Sequence, residues 1–379
     1  MRICIDAYHA IGGYGGIHRY TVNLIKGLLK IDSENQYLLF YNSFRRIDNK
    51  TLPVFNGKNI TNIICRFPRR LLTRMWDITR FPSIEFLTGK IDIYHSLHFV
   101  LPPQHQGKSI LTIHDVTYLK YPEFFFPDPQ NAHGYRVLLP NAAKRAHRII
   151  TISHSTKRDV MELLGIPEEK IEVIYFGVGE EYKPSIKRDD KADILRKIGI
   201  GEGEFILYAM GTIEPRKNIK NLLEAYRLFI EKCKKDVSLV LVGIGRFPED
   251  VREKVEEYNL NGNVILKEGI PEEYMPVLMN SACLFIYPSL YEGFGLPVLE
   301  AMACGKAVIT SNVSSMPEVV GDAGVLIDPQ NIEGISSALR KVILDEGFRN
   351  DLEKRALDRS RLFSWERCAR ETLKVYGER

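Results

Sequence analysis

The sequence predicts an α/β protein built from two doubly wound domains, each a parallel sheet flanked by helices. Three observations point there. Short apolar, β-branched runs alternate with longer helical patterns along the whole chain. The runs fall into two series separated by a charged stretch. A chain of 379 residues is also too long for one ordinary core. With 45% apolar and 26% charged residues it has ample surface to bury and lacks the composition of a disordered protein.

The first series opens with Ile3-Cys4-Ile5 and continues through the runs at 37–40, 60–65, 91–94, 110–113, 149–152 and 171–174. The second comprises the runs at 205–208, 239–242, 264–266, 284–287, 307–309 and 324–327. Between them, residues 183–204 are polar and carry Pro184 and Lys187-Arg188-Asp189-Asp190, which marks a boundary. The expected division is a domain at 1–182, a second at 183–362, and a C-terminal amphipathic helix at 363–379 that packs back on the first. In doubly wound sheets ligands bind beyond the strand C-termini, so the two halves are expected to face one cleft.

Lys and Arg number 52 against 48 Asp and Glu, a near balance that excludes the basic footprint of a dedicated nucleic-acid binder. The six cysteines are scattered without a Cys-x-x-Cys pair and read as small buried hydrophobes in a reducing compartment. Asp6 and the following glycines break the N-terminal apolar run, so it does not read as a signal-peptide core. No apolar stretch approaches the roughly 18–20 residues of a membrane span. A cytoplasmic location is the expectation.

Four features carry candidate chemistry. In Tyr291-Glu292-Gly293-Phe294-Gly295-Leu296-Pro297-Val298-Leu299-Glu300, an apolar strand gives way to a glycine turn and a helix with proline in its first turn. Free amide groups near Gly295 and Leu296 suit a phosphate, and Glu292 and Glu300, about two helical turns apart, suit vicinal sugar hydroxyls; the plain alternative is two solvated glutamates. Gly211-Thr212-Ile213-Glu214-Pro215-Arg216-Lys217-Asn218 sets two cations at a strand end, able to neutralise a diphosphate or simply to face solvent. The Gly12-Gly13-Tyr14-Gly15-Gly16 loop suits close backbone approach to a ligand but is not a dinucleotide fingerprint. His114, ending a strand before Asp115, suits hydrogen bonding to a hydroxyl or proton transfer, with Asp115 to orient it, or a structural role. His95, His98, His105 and His114 lack the spacing of a metal site.

With these motifs in this order, the chain resembles the retaining glycosyltransferases of family 4, which have the GT-B fold of two Rossmann-like domains. The likeness runs from the glycine loop through Thr112-Ile113-His114-Asp115, Thr151-Ile152-Ser153-His154-Ser155 and Val173-Ile174-Tyr175-Phe176-Gly177-Val178 to the Glu292–Glu300 motif. The resemblance implies a nucleotide sugar held by the C-terminal domain and an acceptor by the N-terminal one. It places Glu300 on the ribose hydroxyls, Glu292 facing the donor hexose, and the backbone of Phe294, Gly295 and Leu296 on hexose or phosphate. Arg216 and Lys217 take the diphosphate, His114 the hexose near the reacting carbon, and the Gly15-Gly16 loop and Gly211 lie close to the donor. No divalent metal or other cofactor is implied. Thr212 departs from the arginine that many relatives carry after this glycine, and Arg216 is its expected substitute.

The wording around Arg216 is similar to a mannosyltransferase branch of polysaccharide assembly, which favours GDP-mannose as donor, with UDP-sugars open, and a glycan or lipid-linked acceptor. Arg66-Phe67-Pro68-Arg69-Arg70-Leu71-Leu72-Thr73-Arg74-Met75-Trp76 suits either peripheral contact with an anionic membrane or a helix with a solvated basic face and a core stripe. A nucleotide-sugar epimerase of the same architecture and a non-catalytic nucleotide-sugar-binding subunit are the competing functions.

Overall fold

In the computed structural model each apolar run marked above contributes to a strand, and every strand pairing is parallel. The structure describes residues 1–12, 15–44, 52–125, 133–184, 188–201, 203–233 and 235–378. Gly13 and Tyr14 of the glycine loop and Lys187 of the charged stretch lie outside them.

The chain forms two units, Met1–Gly177 with Trp365–Arg379, and Val178–Ser364. The crossing at Val178 falls ahead of the charged stretch. In the first unit β1 (Arg2–Asp6) leads through a 3-10 turn at Tyr8–Ala10 into α1 (Gly16–Ile31). There follow β2 (Gln36–Asn42), β3 (Ile60–Cys65), α2 (Arg69–Ile78), α3 (Ile84–Thr88), β4 (Ile93–Ser96), β5 (Lys108–Ile113), α4 (Thr117–Lys120), α5 (Leu139–Arg145), β6 (Arg148–Thr151), α6 (His154–Leu164) and β7 (Ile171–Val173). The second unit runs α7 (Arg188–Lys197), β8 (Phe205–Thr212), α8 (Ile219–Lys232), β9 (Ser238–Ile244), α9 (Glu249–Glu257), β10 (Val264–Glu268), α10 (Met275–Ser281), β11 (Leu284–Tyr287), α11 (Leu296–Ala303), β12 (Val308–Ser311), α12 (Met316–Val320), β13 (Val325–Ile327), α13 (Ile332–Leu344) and α14 (Glu346–Ser360). The last helix, α15 (Trp365–Gly377), returns to the first unit.

The sheet orders are β3-β2-β1-β4-β5-β6-β7 and β10-β9-β8-β11-β12-β13. Each is doubly wound, with its order reversing beside the first strand, between β1 and β4 in one and β8 and β11 in the other. Helices covering both faces explain why the central strands are apolar without alternation; β1, β5 and β11 are buried almost throughout. At the edge, β3 is only half-buried.

Helix α15 closes the first unit from the far end of the sequence, packing against α1. A Cβ on Gly27 of α1 would lie 2.9 Å from both Ala369 Cβ and the Trp365 carbonyl oxygen, so the absence of a side chain there sets the approach of the two helices. At the inner end of α15 the Tyr376 hydroxyl lies 2.7 Å from Nδ1 of buried His95, whose Nε2 lies 2.8 Å from the Thr112 hydroxyl. Tyr20 of α1 shares that hydroxyl at 3.1 Å.

Helix α2 shows which face of the arginine-rich segment is core. Leu72 and Trp76, one turn apart, are buried in the core, and the Trp76 indole donates to the Pro82 carbonyl at 2.9 Å. These apolar residues therefore do not face a membrane. Arg70, Leu71, Arg74 and Ile78 form the exposed face, while Arg69 turns inward onto Tyr8. None of the described helices is long and apolar enough to cross a membrane. The six cysteines are free thiols, four of them buried.

Candidate active site

The two motifs of the second unit meet where its sheet order reverses. β8 and β11 lie side by side and their connections leave for opposite faces, which opens a crevice at their C-terminal ends. After β8, Pro215–Lys217 make a 3-10 turn ahead of α8. After β11 the chain runs through Glu292 to Gly295, which caps α11.

Glu292 is the centre of the crevice. Its Oε1 lies 2.7 Å from Lys217 Nζ and 2.8 Å from Arg216 Nη1, and the Ser289 and Tyr287 hydroxyls lie 2.8 and 3.1 Å from the same atom. All four contacts fall on that one oxygen; among the described residues Oε2 accepts no hydrogen bond. Burial alone would raise the carboxyl's pKa, but Arg216 and Lys217 outweigh it and hold the group at about 2. Lys217 is just 5% exposed. Burial pulls its ammonium below the usual lysine range, against the opposing pull of Glu292. Glu214 adds a second carboxylate, its Oε2 2.6 Å from Arg216 Nε.

Asn218, which closes the Gly211 motif, and several residues outside the motifs build this geometry. The Tyr208 hydroxyl donates to the Lys217 carbonyl at 2.7 Å, and the Lys217 ammonium donates to the Tyr287 hydroxyl oxygen at 2.7 Å. Asn218 takes a left-handed φ of 61°, and its amide donates to the Pro288 and Pro329 carbonyls at 2.9 and 2.7 Å. The Ser315 hydroxyl lies 3.0 Å from the Glu292 carbonyl and 2.8 Å from that of Phe294, and the Glu292 amide donates to Ser314 Oγ at 3.1 Å. The sequence signal of Ser289, Ser314 and Ser315 is only that they are polar and follow strands.

Gly295 has φ 105°, a conformation strained for any residue with a side chain, and a Cβ there would also displace the tip of Met316. Among the described residues nothing accepts from the amide N–H of Gly295 or Leu296. Pro297 follows without an N–H, leaving those two donors at the start of α11. Phe294 is buried edge-on against Phe363, and Glu300 is buried in the second turn of α11. Gly211 lies within β8 where its register with β9 shifts.

In the first unit, His114 follows β5 and is half-buried. Its Nε2 lies 3.0 Å from the Leu97 carbonyl, which can only accept, so this nitrogen carries the proton and Nδ1 is left as an acceptor. Burial lowers its pKa. The ring stands edge-on to Tyr20 at 5.0 Å. Asp115 does not orient it: Oδ1 of Asp115 accepts instead from the Thr117 amide at 3.0 Å. Gly15 caps α1 and Gly16 begins it, with open space beside both. Both nitrogens of His95 are engaged in hydrogen bonds, and no three His, Cys, Asp or Glu side chains among the described residues are grouped to hold a metal.

Residues 14–182 match the family described as Glycosyltransferase Family 4, and residues 190–359 match Glycosyl transferases group 1. The O-antigen chain mannosyltransferase B of Escherichia coli is 31% identical over 369 residues, 95% of each chain. Among solved structures, sucrose-phosphate synthase from Thermosynechococcus elongatus superposes with a TM-score of 0.77 at 21% identity, covering 100% of this chain and 98% of its own. The Anabaena protein HepE, solved with UDP-glucose, gives 0.73 at 18% identity, covering 100% and 99%. These two likenesses carry the fold, which is GT-B.

Proposed function

The chain belongs to glycosyltransferase family 4 and is a glycosyltransferase; we propose that it transfers mannose from GDP-mannose to a glycan or lipid-linked acceptor in cell-surface polysaccharide synthesis, with retention at the anomeric carbon. One arrangement carries the reading: Lys217 and Arg216 gathered on Glu292 beside the unbonded amides of Gly295 and Leu296. The resemblance to a mannosyltransferase of O-antigen chains supports the choice of sugar.

Transfer from a nucleotide sugar leaves negative charge on the departing diphosphate. Lys217 and Arg216 stabilise that charge as it develops, and the two amides take phosphate or hexose oxygens. Glu292 keeps the buried Lys217 charged through Oε1 and offers Oε2 to a donor hydroxyl, while Glu300 holds the ribose. His114 presents Nδ1 as an acceptor for a hexose hydroxyl. With the departing diphosphate accepting the acceptor's proton, no side chain has to act as nucleophile, and positioning supplies much of the rate. No divalent metal belongs to this reading.

A thermal-shift panel of GDP, UDP and ADP tests the donor, since a ligand bound only by the native state raises its stability. GDP alone should shift the transition. Transfer from GDP-mannose to a mannan oligosaccharide, with the product anomer read by NMR, tests the rest; an epimerised donor, or inverted linkage, defeats the reading.

Peripheral contact with an anionic membrane is part of the proposal, moved to the outer face of α2, the turn after it and α3. Leu71, Ile78, Phe81 and Phe86 are 49–74% exposed beside Arg70 and Arg74. Sedimentation with anionic liposomes should fall for Phe81→Ser/Phe86→Ser and for Arg70→Ala/Arg74→Ala; equal binding by parent and variants removes the membrane contact.

A further inference from the structure

Arg69 stands apart from the other arginines of its segment. Its guanidinium carbon Cζ lies over the Tyr8 ring, 3.7 Å from the centroid. A cation–π contact of this kind holds the guanidinium against the ring without using its N–H groups as hydrogen-bond donors to an oxygen. Among the described residues nothing accepts a hydrogen bond from it and no carboxylate reaches ion-pair distance. Half-buried Arg359, by contrast, donates to the Val319 and Glu318 carbonyls at 2.6 and 2.7 Å.

Two histidines beside it are also unsatisfied. The rings of His9, in the turn after β1, and His98, after β4, have centroids 4.8 Å apart. Nε2 of His9 and Nδ1 of His98 are buried with no hydrogen-bond partner. Buried polar atoms are nearly always paired, so two orphans on neighbouring rings call for a ligand. Burial first, and Arg69 second at His9, keep both imidazoles neutral, His9 down to about 3. A neutral ring has one N–H to donate and can place it on the buried nitrogen by choice of tautomer. Asp6, at the end of β1, also feels the charge of Arg69, but its Oδ1 accepts from the Tyr8 amide at 3.1 Å.

These groups sit where the order of the first sheet reverses, since β1 and β4 are neighbours whose connections diverge. We infer that Arg69, His9 and His98 form a binding site for a phosphoryl group of the acceptor. A rigid guanidinium fork with two further N–H donors matches a group offering several oxygens better than a hydroxyl, which offers one. Assigning the group to the acceptor rests on the glycosyltransferase reading, in which the second unit's cations hold the donor's phosphates.

The test follows the histidine ring resonances of the full-length chain by 1H–15N NMR, using inorganic phosphate as probe and methyl α-mannoside as the uncharged control. Phosphate should shift His9 and His98 saturably and the mannoside should not. Arg69→Met should weaken phosphate binding about tenfold or more, and Tyr8→Leu, which removes the stacking surface, should weaken it less. No ring shift with phosphate, or variants that bind as the parent does, overturns the site. Repeating the titration on protein saturated with the nucleoside diphosphate that binds tightest separates the sources. Shifts that persist support an acceptor group, and shifts abolished by the nucleotide give the phosphoryl to the donor and overturn that assignment. Transfer activity is not read, so a failed donor panel leaves this result standing.

Discussion

At the scale of single residues, Lys217 and Glu292 illustrate how a buried charge is tolerated. Either alone would be costly in so enclosed a place; together, with Arg216 and two hydroxyls on the same oxygen, the carboxylate is held ionised. In the proposed reaction Lys217 holds the departing diphosphate, so with Lys217→Met kcat/KM for donor should fall about 10²–10³-fold in initial-rate assays. The pH dependence has a defined sign. Glu292 titrates at about 2 in the folded chain, below the ordinary glutamate value of roughly 4.3. Its contribution is therefore complete above the unfolded value and is lost as pH falls from about 5 towards 2. Urea unfolding across that window should show parental stability dropping, with a smaller drop in Glu292→Gln; equal slopes would contradict the assigned shift. Arg-Lys before a helix is a weak signal in the sequence, since such pairs are common at surfaces. Their convergence on Glu292, in a motif far along the chain, is what distinguishes them.

At the scale of elements, close approaches are controlled by residues whose reasons the sequence hides. Gly27 in the middle of α1 looks like a flaw in a helix, yet α15 packs where its side chain would be. Gly27→Val should therefore lower stability by about 1–3 kcal/mol, read as a fall in Tm, because the clash includes backbone of α15. Tyr376→Phe leaves Nδ1 of buried His95 without its partner and should lower stability by about 1–3 kcal/mol in denaturant titrations. Helix α2 shows the limit of composition as a guide. Its sequence has arginines interleaved with Leu, Met and Trp, and only the helical register decides that Trp76 is core, Arg74 is surface and Arg69 turns to Tyr8.

At the scale of the whole molecule, each unit has its own sheet and the first is completed only when α15 returns from the far end of the chain. Calorimetry should resolve transitions for the two units, and the preferred nucleoside diphosphate at 100 times its Kd should raise that of the second unit by about 2.7 kcal/mol. An equal shift of both transitions would count against a nucleotide site confined to the second unit. The sequence by itself determined both parallel sheets, because strands buried on two faces must be apolar throughout and their connections must be helical. It determined the Glu292–Glu300 turn as well, because a strand, glycines and proline in succession leave amide donors at a helix start. Only the tertiary structure decided that Lys217 and Arg216 share one oxygen of Glu292, that Leu97 rather than Asp115 holds the His114 ring, and that Arg69 lies over Tyr8 near two histidines with unpartnered ring nitrogens. The physical reason is range: periodicity and turn chemistry act over a few neighbouring residues, whereas these contacts join side chains distant in sequence that meet only once the strands are ordered.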